Sequence, residues 1–207
     1  MRMSSFPSAA AQSGAAPKAR FSYVVSTSPS FRIPFPQRID VRIALLLPKR
    51  LGLPPRVERA LSRTRCRHVT SERARCAAFA LGTSRRDGDR RSWYIFTLQS
   101  DVASLGSAVL RDHLRGWRKA LLATVLDAAR DENVDTLFLA SAQEVFSASL
   151  AQQLRADVPS HWTTIYDATA QSFGMSPVRI DPAVNIQVLP RRRPRWASEF
   201  YSLDLVQ

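Results

Sequence analysis

Residues 107–175 read SAVLRDHLRGWRKALLATVLDAARDENVDTLFLASAQEVFSASLAQQLRADVPSHWTTIYDATAQSFGM, and the reading of this stretch decides the fold. Its first part has a helical period. Leu110, Leu114, Trp117, Leu121, Val125 and Ala128 recur at spacings of four, three, four, four and three, which lines them up on one face. The pattern predicts an amphipathic helix from Ser107 to about Asn133 that runs unbroken through Gly116. Arg111, Arg115 and Arg118 fall close together on another face, a cationic stripe at i, i+4 and i+7. Val134 to Ala140 is short and rich in apolar residues, which predicts a strand buried on both sides at the centre of a sheet. Ser141-Ala142-Gln143-Glu144 has the spacing of a capping box and opens a second helix, with Val145, Phe146, Ser149, Leu150 and Leu154 facing inward. Ser160 reads as the cap of a third helix. Trp162, Ile165, Tyr166, Thr169 and Phe173 share one face of it, and Gly174 stands just beyond its end.

Away from this stretch the period is 2. Residues 38–43 alternate polar with apolar and run into Ala44 to Leu47, a strand that Pro48 ends. Arg56 to Arg63 has the pattern of a short basic helix. Arg73 to Leu81 and Ser92 to Gln99 are β-type runs, which predicts a hairpin with a long charged loop bearing Arg85, Arg86, Arg90 and Arg91 around Asp87 and Gly88. Further strands are expected over Val178 to Ile180, Val184 to Leu189 and Phe200 to Val206. The fold class that results is α/β in the α+β sense: a mixed, mainly antiparallel sheet flanked by helices. Residues 39–207 are expected as a single domain, with a basic β-rich part over 39–100 and a helix-strand-helix part over 101–207. Residues 1–38 are rich in Pro, Ser and Ala and contain no acid, which reads as a partly disordered or extended arm, with Phe21 to Val25 able to pair onto a strand.

The net charge of +13 is unevenly placed. Residues 1–48 carry six Lys/Arg against one acid and 49–91 carry thirteen against four, whereas 92–160 carry six against eight and 161–207 five against four. The basic surface therefore belongs to the N-terminal half, and it suits an anionic partner: an acidic peptide or protein, or nucleic acid. Only three of the thirty cationic residues are Lys, so a GC-rich genome accounts for part of the arginine. Cys66 and Cys76 form no CxxC pair and His68 does not complete a zinc set, so no metal is expected. His113 and His161 each stand alone, and no triad, Walker loop or GxGxxG is present. No apolar run reaches the roughly 20 residues needed to cross a bilayer. The expectation is a bacterial cytoplasmic protein with no membrane partner, its oligomeric state left open with a homodimer among the options.

The order strand, helix, strand, helix, strand from Trp93 onward resembles the second half of the GNAT acetyltransferase fold, over roughly residues 92–180. Arg115-Gly116-Trp117-Arg118-Lys119-Ala120-Leu121-Leu122 looks like that family's acetyl-CoA motif, Q/R-x-x-G-x-G/A, and Val134 to Leu139 like the strand after it. Ile165-Tyr166-Asp167 through Phe173-Gly174-Met175 is similar to the family's last helix. The match departs where the cofactor would bind. Gly116 takes the first Gly position, but Arg118 stands at the second and His113 at the Q/R. An unbroken helix through Gly116 would also leave no loop to cradle a pyrophosphate.

The resemblance with this defect implies a non-catalytic accessory protein on a degenerate GNAT-like frame, a pseudoenzyme without cofactor. Such a protein would bind a peptide or protein of acidic character, such as a precursor peptide presented to a modifying enzyme. Arg85, Arg86, Arg90, Arg91, Arg111, Arg115 and Arg118 are the candidate partner-binding residues. One alternative is an active acyl-CoA-dependent N-acyltransferase. It would use acetyl-CoA against Gly116, Trp117 and Arg118, with Tyr166 protonating the departing thiolate. The other is a nucleic-acid-binding protein that uses the arginines of 49–91.

Overall fold

In a computed structural model of the chain the described residues are 24–26, 30–31, 39–48, 55, 59, 69–70, 74–100, 115–147, 157–180 and 198–205. They form β1 (Val24–Ser26), β2 (Ser30–Phe31), β3 (Val41–Pro48), β4 (Val69–Thr70), β5 (Ala74–Asp87), β6 (Arg90–Gln99), α1 (Trp117–Asp131), β7 (Thr136–Ala140), α2 (Ala142–Ser147), α3 (Ser160–Ile165), α4 (Asp167–Gln171), β8 (Ser176–Ile180) and β9 (Ser198–Asp204). One open sheet runs in the order β1-β3-β5-β6-β7-β9-β8, and the small β2-β4 pair joins it at the start of β5. Every pairing is antiparallel except that of β6 with β7. Parallel neighbours need a crossover, and α1 supplies it. The predicted mixed, mainly antiparallel sheet with β7 inside it is what forms. Val24–Ser26 pairs with β3, so part of the N-terminal arm belongs to the sheet.

Alternation along the strands sorts the apolar side chains onto two faces. Val41, Ile43 and Leu45 of β3, Ala78 and Ala80 of β5, Trp93 and Ile95 of β6, and Leu137 and Leu139 of β7 pack in one cluster with α1 and with Tyr166, Ala170 and Met175. The intervening residues Ala44, Phe79, Leu81, Tyr94, Phe96 and Ala140 form a second cluster with Ile180 and Phe200. In the latter, Tyr94 stacks on Phe138 with ring centroids 4.6 Å apart and meets Phe200 edge-on at 6.1 Å. The Nε1 of Trp93 is buried without a hydrogen-bond partner among the described residues.

Both long strands depart from the sequence expectation. The stretch 82–91 is not a loop. Gly82 pairs with Ile95, Arg85 with Ser92, Arg86 with Arg91 and Asp87 with Arg90, leaving only Gly88 and Asp89 in the turn. Gly88 has φ 58, a left-handed value at the first turn position, where a tight hairpin turn takes glycine. The arginines did not end the strand because this end of the hairpin is exposed, and solvated side chains are compatible with a continuing ladder.

The helix predicted from Ser107 also changes. Residues 101–114 lie outside the described residues, and the helix that is described begins at Trp117. Gly116 is its N-cap, with φ 85 and ψ 6, so it stands ahead of the helix rather than inside it. A left-handed residue cannot continue a right-handed helix. The apolar period did not register this, because side-chain spacing carries no information about the sign of φ. Within α1 the face is as predicted: Trp117, Leu121, Val125 and Ala128 are all buried.

The third predicted helix is broken in two at Tyr166, whose φ −95 and ψ −66 separate α3 from α4. Ser160 is the first residue of α3, preceded by Pro159 as N-cap, rather than the cap itself. At α2 half of the capping box forms: the Glu144 N–H donates to Ser141 Oγ at 3.1 Å, while the Ser141 N–H donates to the Glu199 C=O at 3.0 Å instead of to the Glu144 side chain. Gly174 ends its segment with φ 72. Ser149, Leu150, Leu154 and Val184 to Leu189 lie outside the described residues, as does the Arg56 to Arg63 segment apart from Arg59. Among the described residues, no helix is long and apolar enough to cross a membrane.

Candidate functional site

The two parallel strands do not stay together. Their register runs from Ser92 opposite Thr136 to Ile95 opposite Leu139, and there it stops, although β6 continues to Gln99. A bulge explains the divergence. Opposite β5, Ile95 faces Gly82 and Thr97 faces Leu81, so Phe96 is an extra residue. The extra residue turns over the strand beyond it, and Leu98 accordingly lies in the same cluster as Ile95, three residues away. Gly82 is required beside the bulge. A Cβ there would lie 2.5 Å from the Tyr94 carbonyl oxygen and 2.8 Å from Ile95 Cδ1.

Tyr166 reaches into this opening. The Leu98 N–H donates to Tyr166 Oη at 3.2 Å, and the same hydroxyl donates to the Leu98 C=O at 3.3 Å. One side chain thus satisfies both backbone groups of one strand residue. Tyr166, expected on the apolar face of a helix, is 5% exposed and sits within the core. Burial pushes its hydroxyl up to about 12, with the Leu98 backbone bond acting in the lowering direction. At neutral pH it is a protonated phenol fully engaged with backbone. Its backbone is held on both sides, its N–H donating to the Trp162 C=O at 2.8 Å and its C=O accepting from the Ala170 N–H at 2.9 Å.

The crossover places the start of α1 at the same end of the sheet as the end of β6. The first intrahelical bond of α1 is from Ala120 N–H to Gly116 C=O at 3.1 Å, its N-cap is a glycine with no side chain to cap it, and its first turn has no acid. Three cations stand there instead: Arg115 and Lys119 are exposed and Arg118 is half-buried. Among the described residues none of the three makes an ion pair. Cations at the positive end of a helix dipole are unfavourable by a few tenths of a kcal/mol each unless an anion joins them. Among the described residues, a Cβ on Gly116 would meet nothing within 4 Å. The side chain of Trp117 is buried in the core and is not available to a ligand at this end.

The remaining sequence candidates are elsewhere. Arg85, Arg86 and Arg90 are exposed at the tip of the β5-β6 hairpin, at the opposite end of β6 from Leu98. Arg91 is drawn away from them, its guanidinium donating to Glu132 Oε2 at 2.9 Å and to the Glu132 C=O at 2.8 Å. Its backbone N–H donates to Asp135 Oδ2 at 2.6 Å, while Asp135 N–H donates to the Arg91 C=O at 2.8 Å. These bonds fasten the end of α1 to the start of β6. Arg111 lies outside the described residues. The seven arginines singled out from sequence are therefore not one patch. Sequence reading singled out neither the Leu98 backbone, which bonds Tyr166, nor Lys119, which is exposed beside Arg118. Nothing in the residue types announced the Phe96 bulge, whereas Gly116 between Arg115 and Trp117 was a legible helix-start signal that the apolar period masked.

A second polar group supports the tyrosine. Asp167 Oδ1 accepts the Ala142 N–H at 2.8 Å, tying α4 to the first turn of α2. Burial raises the Asp167 carboxyl, the Ala142 bond opposes this, and the Glu199 carboxylate adds to the rise.

Neither a family model nor a curated protein matches the sequence. Among solved structures, the chain is similar to yncA from Salmonella typhimurium, described as an acetyltransferase with its cofactor acetyl-CoA. The identity is 17% and the TM-score 0.35, over 64% of this chain and 60% of that one. It is also similar to a GNAT-family acetyltransferase structure from Desulfovibrio desulfuricans, with 16% identity and a TM-score of 0.38, over 66% of this chain and 65% of that one. A third likeness is to the NatC complex bound to Gag peptide and CoA, with 11% identity and a TM-score of 0.37, over 80% of this chain and 71% of that one. The chain thus spans less than two thirds of the length of the first two. At these identities and scores the likeness is a weak structural match to GNAT-fold acetyltransferases and extends to the fold alone.

Proposed function

We propose that this chain is a non-catalytic binding protein on a GNAT-like frame and that its ligand is an acidic peptide or protein segment. The observation that carries the reading is Tyr166 Oη holding both the N–H and the C=O of Leu98 where β6 leaves β7. Where the two parallel strands part, the backbone groups of Leu98 are satisfied from within. The tyrosine itself is a poor acid, since burial holds its proton up to about 12. The choice of an acidic ligand rests on Arg115, Arg118 and Lys119 gathered at an uncapped helix start without a carboxylate partner among the described residues. Presentation of a precursor peptide to a modifying enzyme is the role that fits a binding protein of this kind. A cytoplasmic setting belongs to the same reading.

Titration calorimetry with a panel of acidic peptides tests it. Saturable binding with Kd below about 100 μM is expected, a range that corresponds to more than about 5 kcal/mol. Complete absence of binding across the panel would remove the reading.

A second reading is favoured by one specific observation. Gly116 is left-handed and the helix starts directly after it, so the first-turn N–H groups, which have no side-chain cap from Gly116, would suit an anion. That is the arrangement an acyl-CoA-dependent N-acyltransferase would need, with acetyl-CoA as cofactor. A rise in Tm with millimolar CoA, growing with the logarithm of concentration, would favour it over the non-catalytic reading.

A further inference from the structure

We propose that the opening between β6 and β7 is a strand-accepting slot held shut by Tyr166, and that an extended acidic peptide enters it by taking over the Leu98 N–H and C=O. The proposal rests on the binding reading above and names the place and the gate. A hydroxyl is both donor and acceptor, so one phenol can imitate the pair of backbone groups that a neighbouring strand would offer to Leu98. The imitation is imperfect. Its two bonds are 3.2 and 3.3 Å, long for a hydroxyl, whereas a peptide strand supplies a separate N–H and C=O at about 2.9 Å each.

The gate is carried on short elements: Tyr166 sits at the break between α3 and α4, which have six and five residues. The bulge at Phe96 is what aims Leu98 into the gap instead of at β7. Charge selects the occupant. A peptide pairing with the end of β6 passes the start of α1, where Arg115, Arg118 and Lys119 stand, and its carboxylates would answer their charge and the positive end of that helix. Tyr166 in this role is a positioning and gating residue, and no covalent step is involved.

The test compares the full chain with Tyr166→Phe and Tyr166→Ala, using backbone amide exchange and titration. The probes are an alternating Glu-Val peptide of about ten residues, its Lys-Val counterpart and free CoA, a length that spans the strand-like end of β6. In Tyr166→Phe the Leu98 amide should exchange at least about tenfold faster, with Ile95 unchanged, since only Leu98 loses its acceptor. The acidic peptide should bind that variant at least about tenfold more tightly than the parent chain and restore protection at Leu98, while the Lys-Val peptide should not bind. If Tyr166→Ala does not fold, Tyr166→Phe, which keeps the ring, carries the comparison alone. Equal affinity in parent and variant with Leu98 exchange unmoved by peptide overturns the slot. If such binding is also lost in Arg115→Glu, the acidic-ligand reading survives without the slot. Binding of CoA with no binding of the acidic peptide overturns the occupant, and binding of neither to folded Tyr166→Phe overturns both.

Discussion

The Tyr166 hydroxyl should leave a signature in the alkaline limb of stability. Its proton is held to about 12 in the folded chain against an ordinary 10.0. A group whose folded value is raised stabilises the fold fully below the unfolded value and loses that contribution as pH rises through the folded one, here between 10 and 12. The full contribution is on the order of 3 kcal/mol, from two pH units at about 1.4 kcal/mol each. In Tyr166→Phe the ring remains, but Leu98 N–H and C=O are left buried without their partner, at a cost of about 1–3 kcal/mol at pH 7. The two proteins should therefore differ at pH 7 and converge as pH approaches 12. Tyr94 and Tyr201 are also raised, chiefly by burial, and contribute equally to both proteins, so the difference isolates Tyr166. Urea unfolding of both proteins at intervals from pH 7 to 11.5 measures it. Curves that stay parallel above pH 9 would refute the buried, doubly bonded hydroxyl.

Two further outcomes follow from the same region. Gly82→Ala places a Cβ 2.5 Å from the Tyr94 carbonyl, a contact that only a backbone shift can relieve, and should cost about 2 kcal/mol or more. A change in unfolding free energy below about 0.5 kcal/mol would show that the bulge is not packed as described. Asp167→Asn should leave stability at pH 7 unchanged or slightly higher. Burial raises the carboxyl, so the stability linked to its proton is present at acid pH and lost as pH rises through the folded value, whereas an amide oxygen still accepts the Ala142 N–H. A loss of more than about 1 kcal/mol at pH 7, the size of a lost helix cap, would contradict this.

Much of the scaffold was legible in the residues because burial writes itself in periods. The inward face of α1, the central placement of β7, the Ser141 cap and the Gly174 stop all follow from spacing and from what each residue type can do. The candidate site was legible only in outline, since its features are made by backbone. A change in the sign of φ at Gly116, an extra residue at Phe96 and a break at Tyr166 alter no apolar spacing, yet they set where the helix starts, where the strands part and what fills the gap. The hairpin failed for a related reason. Arginine and aspartate read as loop, but at an exposed tip nothing prevents charged residues from remaining in the ladder.

The bulge at Phe96 makes residue count, more than residue identity, the quantity that the site depends on. A strand addresses its left and right neighbours with alternate residues, and an odd insertion exchanges the two addresses for everything downstream. Between Trp93 and Gln99 a substitution can only tune what is already facing the opening. Removing or adding one residue would instead hand Leu98 back to the regular ladder and leave Tyr166 facing a side of the strand with nothing to offer it. Length in this segment is therefore a constraint that a comparison of side chains alone would not reveal.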